Sequence, residues 1–211
     1  IKRRLWNSRT KKCLKDNNVF KLTTHNNYAI NMRNEWNVNT LLALIDKHTL
    51  SLKKRLDTII KVSPKIGITR VSVSNESIKS VCIKEYRYPT LLKRFLFFLC
   101  GSPARKAWLA AHGLIALNLR TPKPIALFEE KKFARIEKSF IIMEDISACL
   151  PCNKYVSERF RNPCDAITFR RKKRFISYLA HSFRQLHDSN VYHADLKANN
   201  IMIMELPDTW N

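Results

Sequence analysis

One short stretch constrains this chain more than any other: Val191-Tyr192-His193-Ala194-Asp195-Leu196-Lys197-Ala198-Asn199-Asn200-Ile201-Met202-Ile203. A His stands two residues before an Asp, a Lys two after it and an Asn five after it, and an apolar run follows. Each type suits one part of moving a phosphoryl group. An Asp can hold and deprotonate an attacking hydroxyl, a Lys can neutralise charge on the transferred phosphate, and an Asn amide oxygen can ligate magnesium. The apolar run reads as the buried strand that positions them.

Composition narrows the setting. The 211 residues hold 39 Lys plus Arg against 17 Asp plus Glu, a formal charge of +22. Such an excess attracts polyanions: nucleic acid, an acidic membrane surface or a phosphorylated glycolipid. A generally soluble, charged surface would carry it too. The densest basic run, Arg170 to Arg174, has no RNA-binding module or zinc-finger spacing beside it and opens a helical pattern. That favours a solvated face and argues against nucleic acid as a partner. With 45% hydrophobic and 10% aromatic residues the chain can bury a substantial core, which excludes a disordered chain.

No window approaches the ~20 apolar residues of a membrane span. The run Phe95 to Cys100 follows Lys93-Arg94, so interfacial contact is one reading, but a core-facing helix or strand is the expectation. Of the six cysteines only Cys149 and Cys152 lie close together, without a second pair or a Cys/His pair at zinc-ligand spacing. Unpaired thiols suit a reducing, cytoplasmic setting. The first residue, Ile1, and the turn-like end Asp208-Thr209-Trp210-Asn211 read as a piece cut at both ends.

Taken in order, residues 1–50 are polar and Asn-rich and read as a peripheral extension, with Asn39-Thr40 expected to cap a helix through Leu41, Leu42, Leu44 and Ile45. β-rich runs then cover 56–62, 68–73 and 80–86, predicting three antiparallel strands. The connection Ser63-Pro64-Lys65-Ile66-Gly67 is either a phosphate-covering loop or an ordinary hairpin. Val81-Cys82-Ile83-Lys84 ends an apolar strand on a Lys whose ammonium would reach into a cleft. Apolar residues recurring at three and four over 91–119 predict one or two helices. Strands follow at 125–128 and 139–143, joined by a charged turn at 129–132, and then a polar break, Glu144-Asp145-Ile146. A helix over 170–186, with Phe175, Tyr178, Leu179, Ser182, Phe183 and Leu186 on one face, leads into the loop.

The loop resembles the catalytic loop of the protein-kinase fold, with Ala194 where protein kinases usually carry Arg. With Ser102-Pro103-Ala104-Arg105-Lys106-Ala107-Trp108, the following Ala111-His112, and Thr121-Pro122-Lys123-Pro124-Ile125-Ala126, the chain resembles the lipopolysaccharide core (Kdo and heptose) kinase family. That resemblance implies an α+β, protein-kinase-like two-lobed fold: an N-lobe of antiparallel sheet plus helix over 51–146, and the start of a mostly helical, truncated C-lobe over 147–211. It implies ATP and magnesium as cofactors and a sugar hydroxyl of a lipid-linked core oligosaccharide as acceptor. It also implies a cytoplasmic location, peripheral at the inner face of the inner membrane, where the basic charge would meet an anionic membrane.

Carried over residue by residue, Asp195 is the base, Lys197 neutralises phosphate, Asn200 ligates the metal, Lys84 contacts the nucleotide phosphates, and His193 braces the loop. Glu144 and Ile146 would offer backbone groups to the adenine ring. Two features depart from the family pattern. Ala107 stands where many relatives of this fold carry a Glu for the strand Lys, and no metal-binding Asp motif follows Asn200, so the fragment itself is expected to be inactive. An atypical protein or small-molecule kinase, and a pseudokinase or polyanion-binding module, are the alternatives.

Overall fold

The computed structural model describes residues 2–73, 78–88, 90–133, 135–161, 165–192, 196–206 and 209–210. The chain divides into two compact units, residues 3–145 and 146–211.

The first unit is a seven-stranded antiparallel sheet with helices on both faces. Its strands are β1 (Phe20–His25), β2 (Tyr28–Arg33), β3 (Ile59–Val62), β4 (Ile66–Ser72), β5 (Ser80–Arg87), β6 (Pro124–Lys132) and β7 (Arg135–Glu144), in the spatial order β1-β2-β6-β7-β5-β4-β3. The central strands are apolar on both faces. Along β6, Ala126 and Phe128 join one core while Leu127 joins the other, as expected where a strand has neighbours above and below. The first core lies under α2 (Val38–Lys54), where Leu41, Leu44 and Ile45 meet Val81, Ile83, Phe128 and Phe140. The second lies under α4 (Pro103–Ala116), where Ala104 and Trp108 meet Leu127, Ile141, Phe20 and Cys13. The first helix, α1 (Lys2–Lys12), lies against α4: a Cβ at Gly113 would stand 2.5 Å from the Trp6 ring. At the end of α1, the Trp108 indole donates to the Cys13 carbonyl at 3.0 Å.

Several expectations change here. Residues 1–50 do not form a peripheral extension. β2 pairs with β6 in full antiparallel register, and Phe20, Ile30 and Met32 are buried in the two cores. The polar residues that suggested a periphery sit at turns, such as Asn26, whose φ of 50° closes the β1–β2 hairpin. Helix α2 is capped by Asn37 rather than by Asn39-Thr40: its side chain accepts from the Asn39 amide at 2.8 Å. The charged segment 129–132 is strand, not turn, because Glu129 is buried and accepts a 2.6 Å hydrogen bond from the Ser102 hydroxyl. Gly67 lies inside β4, where a Cβ would come within 2.8 Å of Leu52 and 2.9 Å of Arg87. The connection before it closes through Ser63 N–H to the Ile66 carbonyl at 2.8 Å, the ordinary hairpin of the two readings.

The stretch 91–119 forms two helices. α3 (Leu91–Cys100) stops at Gly101, whose φ is 77°, and α4 restarts with Ser102 accepting from the Arg105 amide at 3.1 Å and with Pro103 in the first turn. Phe95 to Cys100, expected to face the core, do not: among the described residues α3 buries no side chain, and Leu92 and Leu99 are 77% and 66% exposed.

The second unit holds a two-stranded sheet, β8 (Leu150–Pro151) with β9 (Met202–Ile203), and the helices α5 (Cys152–Phe160) and α6 (Ala166–Asp188). Its core gathers Tyr155, Phe160, Phe175, Ile203 and Trp210, with the Trp210 indole donating to the Tyr155 hydroxyl at 2.7 Å. α6 begins earlier than its apolar face suggests because the Asp165 side chain accepts from the Thr168 amide at 2.7 Å. The basic run on it is partly engaged, Arg171 pairing with Glu205. Neither Cys149 nor Cys152 is in a disulfide, and among the described residues no group of three or more His, Cys, Asp or Glu could hold a metal ion.

Candidate functional site

Alternation along β5 places the first candidate. Val81, Ile83 and Glu85 turn to the core beneath α2, so Lys84 shares the opposite face with Cys82 and Tyr86. The Lys84 ammonium lies 4.9 Å above the Tyr86 ring, a contact that favours a cation. Among the described residues no carboxylate pairs with it. Glu85, its neighbour in sequence, is committed elsewhere. It accepts two hydrogen bonds from Arg87, at 2.6 and 2.8 Å, and lies 3.7 Å from Lys138 and 3.6 Å from His48 Nε2. Burial works against its charge, but the His48 ring, Arg87 and Lys138 outweigh that and hold its carboxyl down at about 2. His48 is itself fixed through Nδ1, 2.7 Å from the Thr69 hydroxyl. Glu85 thus belongs to a buried ionic network and leaves Lys84 unpaired from that side.

Glu144 ends β7 opposite Val81 on β5, which brings it to the same strand pair as Lys84. Its amide donates to the Lys123 carbonyl at 2.9 Å, and its carboxylate accepts from the Lys123 amide at 3.2 Å. Asp145, passed over in the sequence as part of a polar break, is the firmest residue there. Its carboxylate accepts from the Ser80 hydroxyl at 2.6 Å and pairs with Arg70 at 3.1 Å. An Asp at the end of an apolar strand was the available signal. Ile146 opens the second unit, and its carbonyl accepts from the Cys149 amide at 2.9 Å.

In the second unit the loop residues Lys197 and Asn200 are brought together. The Asn200 amide donates to the Lys197 carbonyl at 2.9 Å, closing a turn of 3-10 helix, Ala198–Asn200, with both side chains exposed. Two bonds to the core fix that turn. The Ile201 carbonyl accepts from the Cys152 amide at 2.8 Å, and β9 pairs with β8. The apolar run expected to position the loop does so through Ile203, which is buried against Tyr155 and Phe175. Asp195 and His193 lie outside the described residues.

The segment from α3 to the end of this loop is also what identifies the chain. No curated protein matches it. The profile of the lipopolysaccharide kinase (Kdo/WaaP) family matches residues 90–208, more than half of the chain. That span includes the Ser102 cap, buried His112, the β6–β7 pair and the loop with Lys197 and Asn200. The chain therefore belongs to the lipopolysaccharide kinase (Kdo/WaaP) family.

Proposed function

We propose that the chain carries the nucleotide-binding and catalytic residues of a two-lobed, protein-kinase-like enzyme that transfers the terminal phosphoryl group of ATP to a sugar hydroxyl of the lipopolysaccharide core. The observation that carries this is the loop. Asp195, Lys197 and Asn200 stand at phosphotransfer spacing inside the family-matched segment, and Lys197 and Asn200 share one exposed turn pinned to a buried strand. The five strands β3 to β7, with α3 and α4 between β5 and β6, support the N-lobe reading.

The residues present fit the nucleotide phosphates and offer one ligand to their metal. Lys84 is a cation that no described carboxylate neutralises, and Asn200 brings an amide oxygen, a hard donor suited to magnesium. Bound magnesium would supply charge neutralisation on the phosphates. Asp195 would orient the sugar hydroxyl and take its proton, Lys197 would meet the charge that grows on the transferred group, and Lys84 would hold the nucleotide phosphates. The backbone carbonyl of Glu144 would receive the adenine edge, with Asp145 clamped by Ser80 and Arg70 to fix that strand end. The acceptor is a lipid-linked oligosaccharide, which places the reaction at the cytoplasmic face of the inner membrane.

Transfer of labelled phosphate from ATP to purified core lipid tests this on the full-length protein. Asp195→Ala should abolish transfer, by about a thousandfold or more, given what positioned proton transfer and orientation contribute together. Lys84→Ala should raise the KM for ATP more than it lowers kcat. Transfer by Asp195→Ala equal to the unsubstituted protein would reject the base, and transfer to protein in place of core lipid would reject the acceptor.

A further inference from the structure

Helix α3 is built inside out. Leu92, Phe95, Leu96 and Leu99 recur at i, i+3, i+4 and i+7, which gives one continuous apolar stripe, and each is 47% to 77% exposed. The opposite side holds the helix to the sheet. The Arg94 guanidinium donates to the Tyr88 carbonyl at 2.9 Å and pairs with Glu137, and the Phe97 ring lies 4.7 Å from Tyr88. A surface helix normally does the reverse, burying its apolar stripe. Here Arg94 and Phe97 are the anchor, and the continuous apolar stripe is presented.

Beside it runs a groove of about 570 Å³ whose cations are Arg87, Arg94, Lys132, Arg135 and Lys138; Arg94 pairs with Glu137, and Arg87 and Lys138 with Glu85, so Lys132 and Arg135 are the ones held by no described carboxylate. The far wall of this groove is the tip of the β6–β7 hairpin, where Lys132 pairs with Arg135 and Phe133 stands 86% exposed with a φ of 53°. Two convex apolar features, a helix ridge and a hairpin tip, therefore flank one cationic groove.

We propose that α3 and the Phe133 tip dock the protein on an anionic lipid bilayer, with their apolar side chains entering the boundary between headgroups and acyl chains and the groove cations meeting lipid phosphates. The charge argues for this occupant: the basic groove lies between the apolar projections, and the whole chain carries +22. Shape argues the same way. An apolar partner groove would have to fit a ridge and a separate tip at once, whereas a fluid bilayer accepts both. This surface is independent of the phosphotransferase reading, and it is tested without ATP or core lipid.

The full chain should sediment with vesicles of equal phosphatidylglycerol and phosphatidylcholine and not with vesicles of phosphatidylcholine alone. Replacing Leu92, Leu96 and Leu99 by Ser should weaken binding at least ~10-fold, since each loses buried acyl contact. Because these side chains are solvent-exposed, the thermal unfolding of the variant should match the parent. Phe133→Ser, a separate substitution on a separate element, should weaken binding by a smaller factor, and Lys132→Glu with Arg135→Glu should weaken it and flatten its salt dependence. Absence of binding to anionic vesicles would overturn the proposal, as would undiminished binding by the Leu-to-Ser variant. A dimer in light scattering that the Leu-to-Ser variant dissolves, without vesicle binding by the parent, would assign the surface to a second copy instead.

Discussion

At the residue scale the cleanest consequence concerns His112, a member of the family-matched segment. It is fully buried between Phe20 and Trp108, and neither ring nitrogen has a hydrogen-bond partner among the described residues. Burial, reinforced by the charges of Arg9 and Arg33, pushes its pKa down from 6.5 to about 3. The unfolded chain therefore takes up this proton first as pH falls. The folded state keeps its full stability above pH 6.5 and loses it progressively toward pH 3. At pH 5 the loss should be ~2 kcal/mol. Glu85 acts in a lower window. Its carboxyl, held at about 2 against an ordinary 4.5, contributes stability that is present above 4.5 and is lost only below that. Urea unfolding of His112→Leu should thus show a flat midpoint between pH 6.5 and 5 where the parent declines, and an unchanged slope for the variant would reject His112 as the cause. The sequence marked this His only as part of the Ala111-His112 stretch; its burial was not readable there, because it depends on Phe20, more than ninety residues away in the chain.

At the element scale, α4 shows how one polar residue can serve two structures. Ser102 caps the helix through the Arg105 amide and also donates to buried Glu129 on β6. Ser102→Ala removes both: a cap worth ~1 kcal/mol and the donor of a buried carboxylate worth ~2 kcal/mol. Chemical denaturation should report a combined loss of ~3 kcal/mol, and a loss under ~1 kcal/mol would mean that Glu129 finds another donor. The α4 contact with α1 can be probed on its own. Gly113→Ala should gain ~1 kcal/mol of helix propensity, but the added methyl meets the Trp6 ring at 2.5 Å. Overpacking at such a contact costs ~1–3 kcal/mol, so the clash should win and α1 should become more open to protease. Elements with strong periodicity were legible: α2, the α3–α4 pair, β5 and α6 all occur near their predicted places. What was not legible is which side of an element faces inward. The charges at 129–132 looked like a turn because a buried Glu needs Ser102, and the apolar run of α3 looked like core because its inward side is held by Arg94 instead.

At the scale of the whole molecule, the loop that identifies the chain depends on a core separate from the sheet. Lys197 and Asn200 are close enough in the chain for one local turn to join them, so their proximity needed no distant partner. The two N-terminal strands were not readable, because β2 earns its place only by pairing with β6, about a hundred residues on. The core of Tyr155, Phe160, Phe175, Ile203 and Trp210 shares no residue with the cores of the first unit. Ile203 in that core is also the end of the run that holds the Ala198–Asn200 turn. Trp210→Ala should therefore act locally. It removes a ring packed against Phe175 and the indole donor to the Tyr155 hydroxyl, at a cost of ~3–5 kcal/mol. Hydrogen exchange should speed up in α5, in α6 and at the amides of Cys152 and Asn200, while the amides of β2, β6 and β7 keep their protection. Equal acceleration in the sheet would show that the two units unfold as one, because a loss confined to one core can spread only through coupling between them.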